Sequence, residues 1–202
     1  MAAIHAVLWN ATDGYWRDYS LEDERHVDGM LIFVIVAFFA DSRKGIFLSS
    51  VTPLWADSFD EAQLGDGALD RLLGFMSSLL GEFGECGLPV SRANTGQQWD
   101  YPNAWAPIEY FAVRAIERLP GGNALAATLA QTWLACNYCG WIATGGTDDG
   151  VIYEKYDVEL RGVPGSGGEY GVQEGFGWTN GVALRFAVDY AAKDPLMACG
   201  ER

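Results

Sequence analysis

Apolar side chains recur every three or four residues in several segments of the chain, which is the spacing of one face of an α-helix. At the amino end, residues 2–9 resemble the last part of a helix, because no capping residue precedes them. Further along, the pattern predicts helices over about 60–83, from near Pro102 to the Pro-Gly-Gly sequence at 120–122, over about 124–138 and over about 180–192. These elements favour an all-α fold.

The segments between the predicted helices are polar, aromatic and rich in glycine. Residues 10–14 form a turn cluster, and the aromatic residues that follow, Tyr15, Trp16 and Tyr19, favour a short hairpin. The longest connection, 144–178, has many glycines and few helix formers, and loops of that length usually have a function or are disordered. We therefore expect helical hairpins whose loops gather at one end and form a pocket.

The longest apolar run covers residues 30–40 and is bounded by Asp28 and Asp41. It is shorter than the roughly 20 residues that a helix needs to cross a bilayer. It also lacks the basic lead-in of a secretory signal, since residues 1–8 contain no Lys or Arg. We interpret it as a buried strand or helix segment, and we expect no transmembrane segment in this chain.

Composition narrows the class of protein. Half of the residues are apolar, which is enough to form one packed core. The length of 202 residues is short for two domains. Only 13 Lys and Arg stand against 27 Asp and Glu, which gives a formal net charge of −14. A nucleic acid or an anionic membrane would be repelled by the chain as a whole, so neither is an expected partner.

The chain has four cysteines, at 86, 136, 139 and 199, and their spacing shows no disulfide framework. Cys136 and Cys139 have the two-residue gap of a metal or redox motif, but no histidine and no second pair lies near them. Because the neighbouring residues have the pattern of a buried helix, we favour a structural role for this pair over a metal site.

Candidate chemistry is concentrated first in residues 96–107. Their sequence is Gly-Gln-Gln-Trp-Asp-Tyr-Pro-Asn-Ala-Trp-Ala-Pro, which combines the amides of Gln97 and Gln98 with a carboxylate and two indoles on a segment stiffened by prolines. Sugars need that combination, because amides and carboxylates bind their hydroxyls while aromatic rings cover their C–H faces. From composition alone, a sugar site and a core role for Trp99 and Trp105 are equally open.

Two further segments carry acidic and glycine residues. Glu154 and Asp157 flank Lys155, an arrangement that suits a general base with electrostatic support, although residue types alone favour a solvated loop. The many glycines of 165–181 allow a loop to close over a ligand. Neither a phosphate-loop lysine nor a dinucleotide spacing accompanies them, so we do not expect nucleotide binding.

Together, the order and spacing of these segments resemble the trehalase family, inverting glycosidases that split α,α-trehalose into two glucose molecules. Residues 97–107 match one of the family's two diagnostic signatures almost residue for residue, and 153–158 and 167–181 match further family motifs. The resemblance is weak near the amino end and strong from Pro53 to about Tyr190.

The resemblance implies part of an (α/α)6 toroid, with helical hairpins and long loops that form the site. It implies that Glu154 is the general base and that Glu169 belongs to a lid loop. It further implies a pocket lined by Gln98, Trp99, Asp100, Trp105, Phe176 and Trp178. Trehalose is the implied substrate, and no metal or other cofactor is implied. We expect Glu154 and Glu169 to face one pocket with the indoles, and Glu154 to be open to water.

The general acid of the family is an Asp in a Ser-Gly-Trp-Asp context, and no Asp up to Asp100 has that context. The resemblance therefore implies that residues 1–202 are the carboxy-terminal portion of one catalytic domain, incomplete at its amino end, with the acid outside the chain. If the 202 residues are instead the whole product, a toroid with about half its helices would leave apolar helix faces in water, which favours aggregation or a partner. The alternative function is that of a non-catalytic sugar-binding or interaction fragment. Another glycosidase on the same toroid is a third possibility, and the match at 97–107 argues against it.

Overall fold

A computed structural model describes residues 6–12, 15–20, 24–27, 48–190 and 199. Residues 6–8 are helical, in agreement with the predicted helix end, and a 3₁₀ helix at Leu48–Val51 leads into the main helical part. The α-helices that follow are α1 (Thr52–Trp55), α2 (Glu61–Leu64), α3 (Ala68–Phe83), α4 (Ala106–Glu117), α5 (Asn123–Ala143) and α6 (Gly177–Tyr190). The apolar run at 30–40 lies outside the described residues.

Short antiparallel strand pairs connect the helices. Near the amino end, β1 (Trp9–Asn10) pairs with β2 (Tyr15–Trp16), and β3 (Asp18–Ser20) pairs with β4 (Arg25–Val27), which confirms the predicted aromatic hairpin. The third pair joins β5 (Asn103–Trp105) to β6 (Lys155–Asp157). In the sequence, β5 lies just before α4 and β6 lies between α5 and α6, so this pair brings two connecting segments together beside the candidate site.

Two helix boundaries differ from the predicted ones. The helix predicted over 60–83 is two helices, because Gly65 and Gly67 have φ angles of +83° and +67° and interrupt the helical backbone. The next helix begins at Ala106 rather than near Pro102, because residues 103–105 pair as β5. Pro107 then occupies the first turn of α4, where its missing N–H has no helical partner to lose.

Helix α5 forms the centre of the core and packs against both α4 and α6. Its buried residues surround most of the helix and include Leu129, Trp133 and Cys136. A helix that is apolar on most sides requires neighbours on most sides. The glycine-rich connection from α5 to α6 therefore runs over the end of a rigid helical layer, where its loops can form a site.

The cysteines form two disulfides, Cys86–Cys136 and Cys139–Cys199. Their spacing did not predict these pairs. The first connects the segment after α3 to α5, and the second connects α5 to the carboxy-terminal segment. None of the helices in the described ranges has the length and apolar character needed to cross a membrane.

Candidate active site

The strand pair β5–β6 brings two of the sequence motifs side by side. The strands are antiparallel, and Trp105 at the end of β5 lies opposite Lys155 at the start of β6. Glu154 directly precedes β6. The pairing therefore fixes the backbone of the predicted base next to the segment that carries the predicted sugar-binding indoles.

Three tryptophans form an aromatic wall beside this sheet. The rings of Trp99 and Trp105 stack with their centroids 4.0 Å apart. Trp178 meets both rings edge-on, and Phe176 lies against it at 5.0 Å between centroids. The indole N–H of Trp105 donates to the backbone oxygen of Gln98 at 2.7 Å. Because Trp105 is 1 % exposed and Trp178 is 39 % exposed, the wall extends from the core to the surface.

Glu154 is held from two directions. From the glycine-rich loop (residues 165–175), the hydroxyl of Tyr170 donates to Oε1 at 3.1 Å, and the backbone N–H of Gln173 lies 3.4 Å from Oε2. From α6, the hydroxyl of Thr179 donates to the backbone oxygen of Glu154 at 2.9 Å. The backbone N–H of Glu154 donates in turn to the oxygen of Gln173 at 2.8 Å.

The first arm of the glycine-rich loop is anchored by a lysine. The Nζ atom of Lys155 donates to the backbone oxygens of Ser166 and Gly167 at 2.8 and 3.1 Å. The N–H of Gly168 donates to the backbone oxygen of Gly96 at 3.1 Å. The loop is therefore attached to both motif segments, through Lys155 to the β6 motif and through Gly96 to the segment that carries Trp99.

The charges of the site act on each other at short range. Burial lowers the pKa of Lys155, and the negative charge of Glu154 partly opposes this. The ammonium group lies 5.4 Å from the ring centroid of Trp105, where the aromatic face helps to stabilise it. Burial raises the pKa of Tyr170, as do its hydrogen bond to Glu154 and the charge there, while a hydrogen bond with Gln98 opposes the shift.

Asp100 and Glu169, two of the predicted site residues, differ in how their carboxylates are bound. Both carboxylate oxygens of the buried Asp100 accept hydroxyl donors, Oδ1 from Ser91 at 2.6 Å and Oδ2 from Thr95. Asp100 therefore holds its own loop in place. Glu169 is exposed on the glycine-rich loop, and among the described residues no hydrogen bond or ion pair engages its carboxylate.

The glycine-rich loop thus contacts both the predicted base and the segment of the predicted pocket wall. Its Tyr170 donates to Glu154, and its Gly168 donates to Gly96, which precedes Gln98 and Trp99. The expected exposure of Glu154 to water differs from what is observed. Glu154 is 1 % exposed rather than open to water, because the glycine-rich loop lies over it.

Some residues of the site were present in the motifs but were given no site role. Tyr170 directly follows the predicted lid residue, and Gln173 and Thr179 lie in the glycine-rich stretch. Lys155 was identified only as a charge beside Glu154.

The donor set offers little for a metal. Within the described ranges, no group of three or more His, Cys, Asp or Glu side chains is arranged to hold a metal ion. Cys136 and Cys139 each belong to a disulfide.

The packed helices, with the candidate site on the loops that connect them, form part of an (α/α)6 toroid, which is the fold of a similar solved structure. The neutral trehalase Nth1 from Saccharomyces cerevisiae superposes with a TM-score of 0.61 at 18 % identity, covering 95 % of this chain and 29 % of that one. The Trehalase family model matches residues 1–191. The chain belongs to the trehalase family.

Relatives in the family come from distant organisms. Trehalase from Homo sapiens is 38 % identical over 191 residues, which are 91 % of this chain and 28 % of that protein. Trehalase from Oryctolagus cuniculus is 39 % identical, again over 91 % of this chain and 28 % of its own length. A probable trehalase from Oryza sativa is 38 % identical and is covered to 32 %. The chain therefore spans about a third or less of these relatives.

Proposed function

We propose that this chain supplies the general-base side of a site that hydrolyses α,α-trehalose with inversion, and that Glu154 is the base. One observation carries the proposal most directly. Glu154 directly precedes β6, whose partner strand β5 ends with Trp105, and two donors of the glycine-rich loop hold its carboxylate. A carboxylate that is held by donors on a loop can bind a water molecule once the loop moves aside.

The chemistry of inversion requires a carboxylate that removes a proton from water while the water attacks the anomeric carbon. An ionised carboxyl has about four acceptor positions. Tyr170 and Gln173 occupy one on each oxygen of Glu154, so positions remain for a water. Since Glu154 is buried, the glycine-rich loop has to move to admit the sugar and then cover it again.

The general acid is assigned to a part of the toroid outside this chain. In an inverting enzyme the two carboxyl groups stand about 6.5–9.5 Å apart, so that a water fits between base and sugar. Because the base has to be ionised while the acid is protonated, we expect activity of the complete toroid to fall on both sides of a mildly acidic to neutral optimum.

The remaining residues are proposed to bind the sugar. The exposed edge of Trp178 and the ring of Phe176 would contact its C–H face, and the side chain of Gln98 would bind hydroxyls. The carboxylate of Glu169 has no protein partner among the described residues, so it is available to bind a hydroxyl when the loop closes. Asp100 would act indirectly, by holding the segment that carries Gln98 and Trp99.

The test uses two substrates that differ in their need for an acid. Trehalose has a poor leaving group that requires protonation. In α-D-glucosyl fluoride the leaving group is fluoride, which departs with little help from an acid. If the purified chain carries a competent base without its acid, it should release fluoride and form β-glucose while it leaves trehalose intact. Glu154→Gln should reduce fluoride release by about 10²–10⁴-fold. Glu159→Gln, an exposed carboxyl on the same segment, is the matched control.

The second candidate function is sugar binding without chemistry. It is favoured by the burial of Glu154 and by the aromatic wall, which would bind a ring without any base. Saturation-transfer NMR with trehalose would measure that binding. Binding without fluoride release would contradict the base assignment. Fluoride release that Glu154→Gln abolishes would exclude a binding-only role.

A further inference from the structure

The contact between Tyr170 and Glu154 joins an exposed residue to a buried one. Tyr170 is 49 % exposed, whereas the carboxylate that its hydroxyl meets belongs to a residue that is 1 % exposed. The described structure shows no stacking of the Tyr170 ring on another aromatic ring. The hydrogen bond of its hydroxyl to Glu154 is therefore the specific contact that fixes the direction of this side chain.

Those contacts lie at the middle of the glycine-rich loop. The first arm is attached through Lys155, and the returning arm pairs with Glu154 through Gln173. Between the two arms, the hydroxyl of Tyr170 donates to Oε1 of Glu154. This hydroxyl is thus the side-chain link between the middle of the loop and the proposed base.

We propose that Tyr170 is a positioning residue that orients the carboxylate of Glu154 and latches the glycine-rich loop over it. This inference rests on the proposed function only where it calls Glu154 the base, because the contact between Tyr170 and Glu154 holds the loop whatever the role of Glu154 is. By donating to Oε1, the hydroxyl selects one rotamer of the carboxylate and leaves Oε2 directed at Gln173. Entry of a sugar then requires that the hydroxyl leave Oε1.

The latch has a spectroscopic signature that does not depend on activity. Tyrosine ionisation is measured by absorbance, and subtracting the titration of Tyr170→Phe from that of the parent isolates Tyr170. Because Glu154 raises the pKa of Tyr170 by its hydrogen bond and its charge, Glu154→Gln should lower that pKa. Glu61→Gln, which removes an exposed carboxyl on α2, should leave it unchanged. An unchanged pKa in Glu154→Gln would overturn the proposal.

The second arm of the test measures the loop by hydrogen exchange. In Tyr170→Phe, the amides of Gly168 and Gln173 should exchange faster than in the parent, because the loop has lost its central attachment. Tyr138→Phe, an exposed tyrosine on α5, is the control and should not change them. Equal exchange in parent and Tyr170→Phe would contradict the latch.

Kinetics with glucosyl fluoride separates this inference from the proposed function. Loss of a hydrogen bond to a charged group corresponds to about a 10–100-fold fall in kcat for Tyr170→Phe. Full kcat in Tyr170→Phe, together with loss of turnover in Glu154→Gln, would overturn positioning and keep the base. No fluoride release by the parent, together with the expected titration and exchange results, would support the latch and overturn the base.

Discussion

Glu109 places a carboxyl group in the core of the molecule, one turn into α4. It is fully buried, and its Oε1 accepts from the N–H of Leu88 at 2.7 Å. Its other oxygen has no hydrogen-bond partner in the described part of the chain. Burial raises its pKa to about 8, against the lowering effect of the Leu88 hydrogen bond, so the group is protonated at neutral pH.

A pH-dependent stability follows from this raised pKa. The folded protein holds the proton at pH values where the unfolded chain has released it. Stability is therefore complete below the unfolded pKa and is lost as pH rises towards 8, by up to about 1.4 kcal/mol per pH unit. In Glu109→Gln this component should vanish, which urea unfolding at a series of pH values would measure. Glu61→Gln, an exposed carboxyl, serves as control, and parallel pH curves for parent and Glu109→Gln would contradict the assignment.

At the scale of the element, one glycine sets how closely the glycine-rich connection packs on α5. Gly162 has a φ of +76°, and a Cβ built there would lie 2.7 Å from backbone atoms of Cys139 and Gly140. Its N–H donates to Sγ of Cys136 at 3.3 Å. Because the opposing atoms are backbone, they cannot move aside without displacing the helix.

Gly162→Ala should therefore cost more than the conformational penalty alone. The φ penalty is about 1–2 kcal/mol, and the backbone overlap should bring the total loss of unfolding free energy to about 2–4 kcal/mol. Gly121 is a matched control, because it has the same φ of +76° and its built Cβ would meet only the side chain of Leu73, at 3.9 Å. Equal losses of stability in the two alanine variants would show that the close approach to α5 has no energetic weight.

The disulfide Cys86–Cys136 is a second link between elements. It closes a sequence separation of 50 residues, with both cysteines buried in the core. Cys86→Ser with Cys136→Ser should lower the free energy of unfolding by about 2–4 kcal/mol, because the unfolded chain gains freedom. Non-reducing peptide mapping identifies the bond, and denaturant unfolding gives the loss. Free thiols at both positions in the parent, or an unchanged unfolding midpoint in the double variant, would contradict it.

Helical periodicity predicted the long elements well because each has a continuous apolar face. The helix predicted over 124–138 lies inside α5, and the one predicted over 180–192 overlaps α6. Periodicity could not show that residues 103–105 would pair with a strand that follows α5, because such pairing depends on tertiary contacts. The apolar spacing also continues past Gly65 and Gly67, so periodicity did not show that the helix is interrupted there.

The site was predicted through its motifs rather than through its contacts. Residue types and the family resemblance identified Glu154 and the tryptophans, and in the structure the strand that follows Glu154 pairs with the strand that ends at Trp105. Sequence could not show that the loop would cover Glu154, since closure depends on where Tyr170 and Lys155 reach in three dimensions. Nor could it separate Asp100, whose oxygens both bind neighbouring hydroxyls, from the residues of the pocket wall.

At the scale of the whole molecule, α5 and α6 leave one apolar face uncovered among the described residues. Leu184 and Val188 on α6 are 69 % and 80 % exposed, and Ile142 on α5 is 45 % exposed. A cavity of about 550 Å³ lies along these helices, and its lining includes Leu134, Trp141 and Leu184. In a ring of helical hairpins, such a face is covered by a neighbouring hairpin, and the chain spans 28 % of the human relative.

This face should make the isolated chain self-associate, because contiguous apolar side chains on a folded surface favour contact with another apolar surface. Light scattering combined with gel filtration should show the apparent mass of the parent rising with concentration. Introducing Leu184→Glu and Val188→Glu together should keep the chain monomeric. Its unfolding free energy should stay within about 0.5 kcal/mol of the parent, since both side chains are largely exposed.

Leu160→Glu provides the control, because Leu160 is 54 % exposed and does not line that cavity. If general surface hydrophobicity caused the association, Leu160→Glu would reduce it as strongly as the double variant does. A parent chain that stays monomeric at every concentration would contradict an uncovered face altogether. Association that only the α6 substitutions remove would identify this face as the contact between copies of the chain.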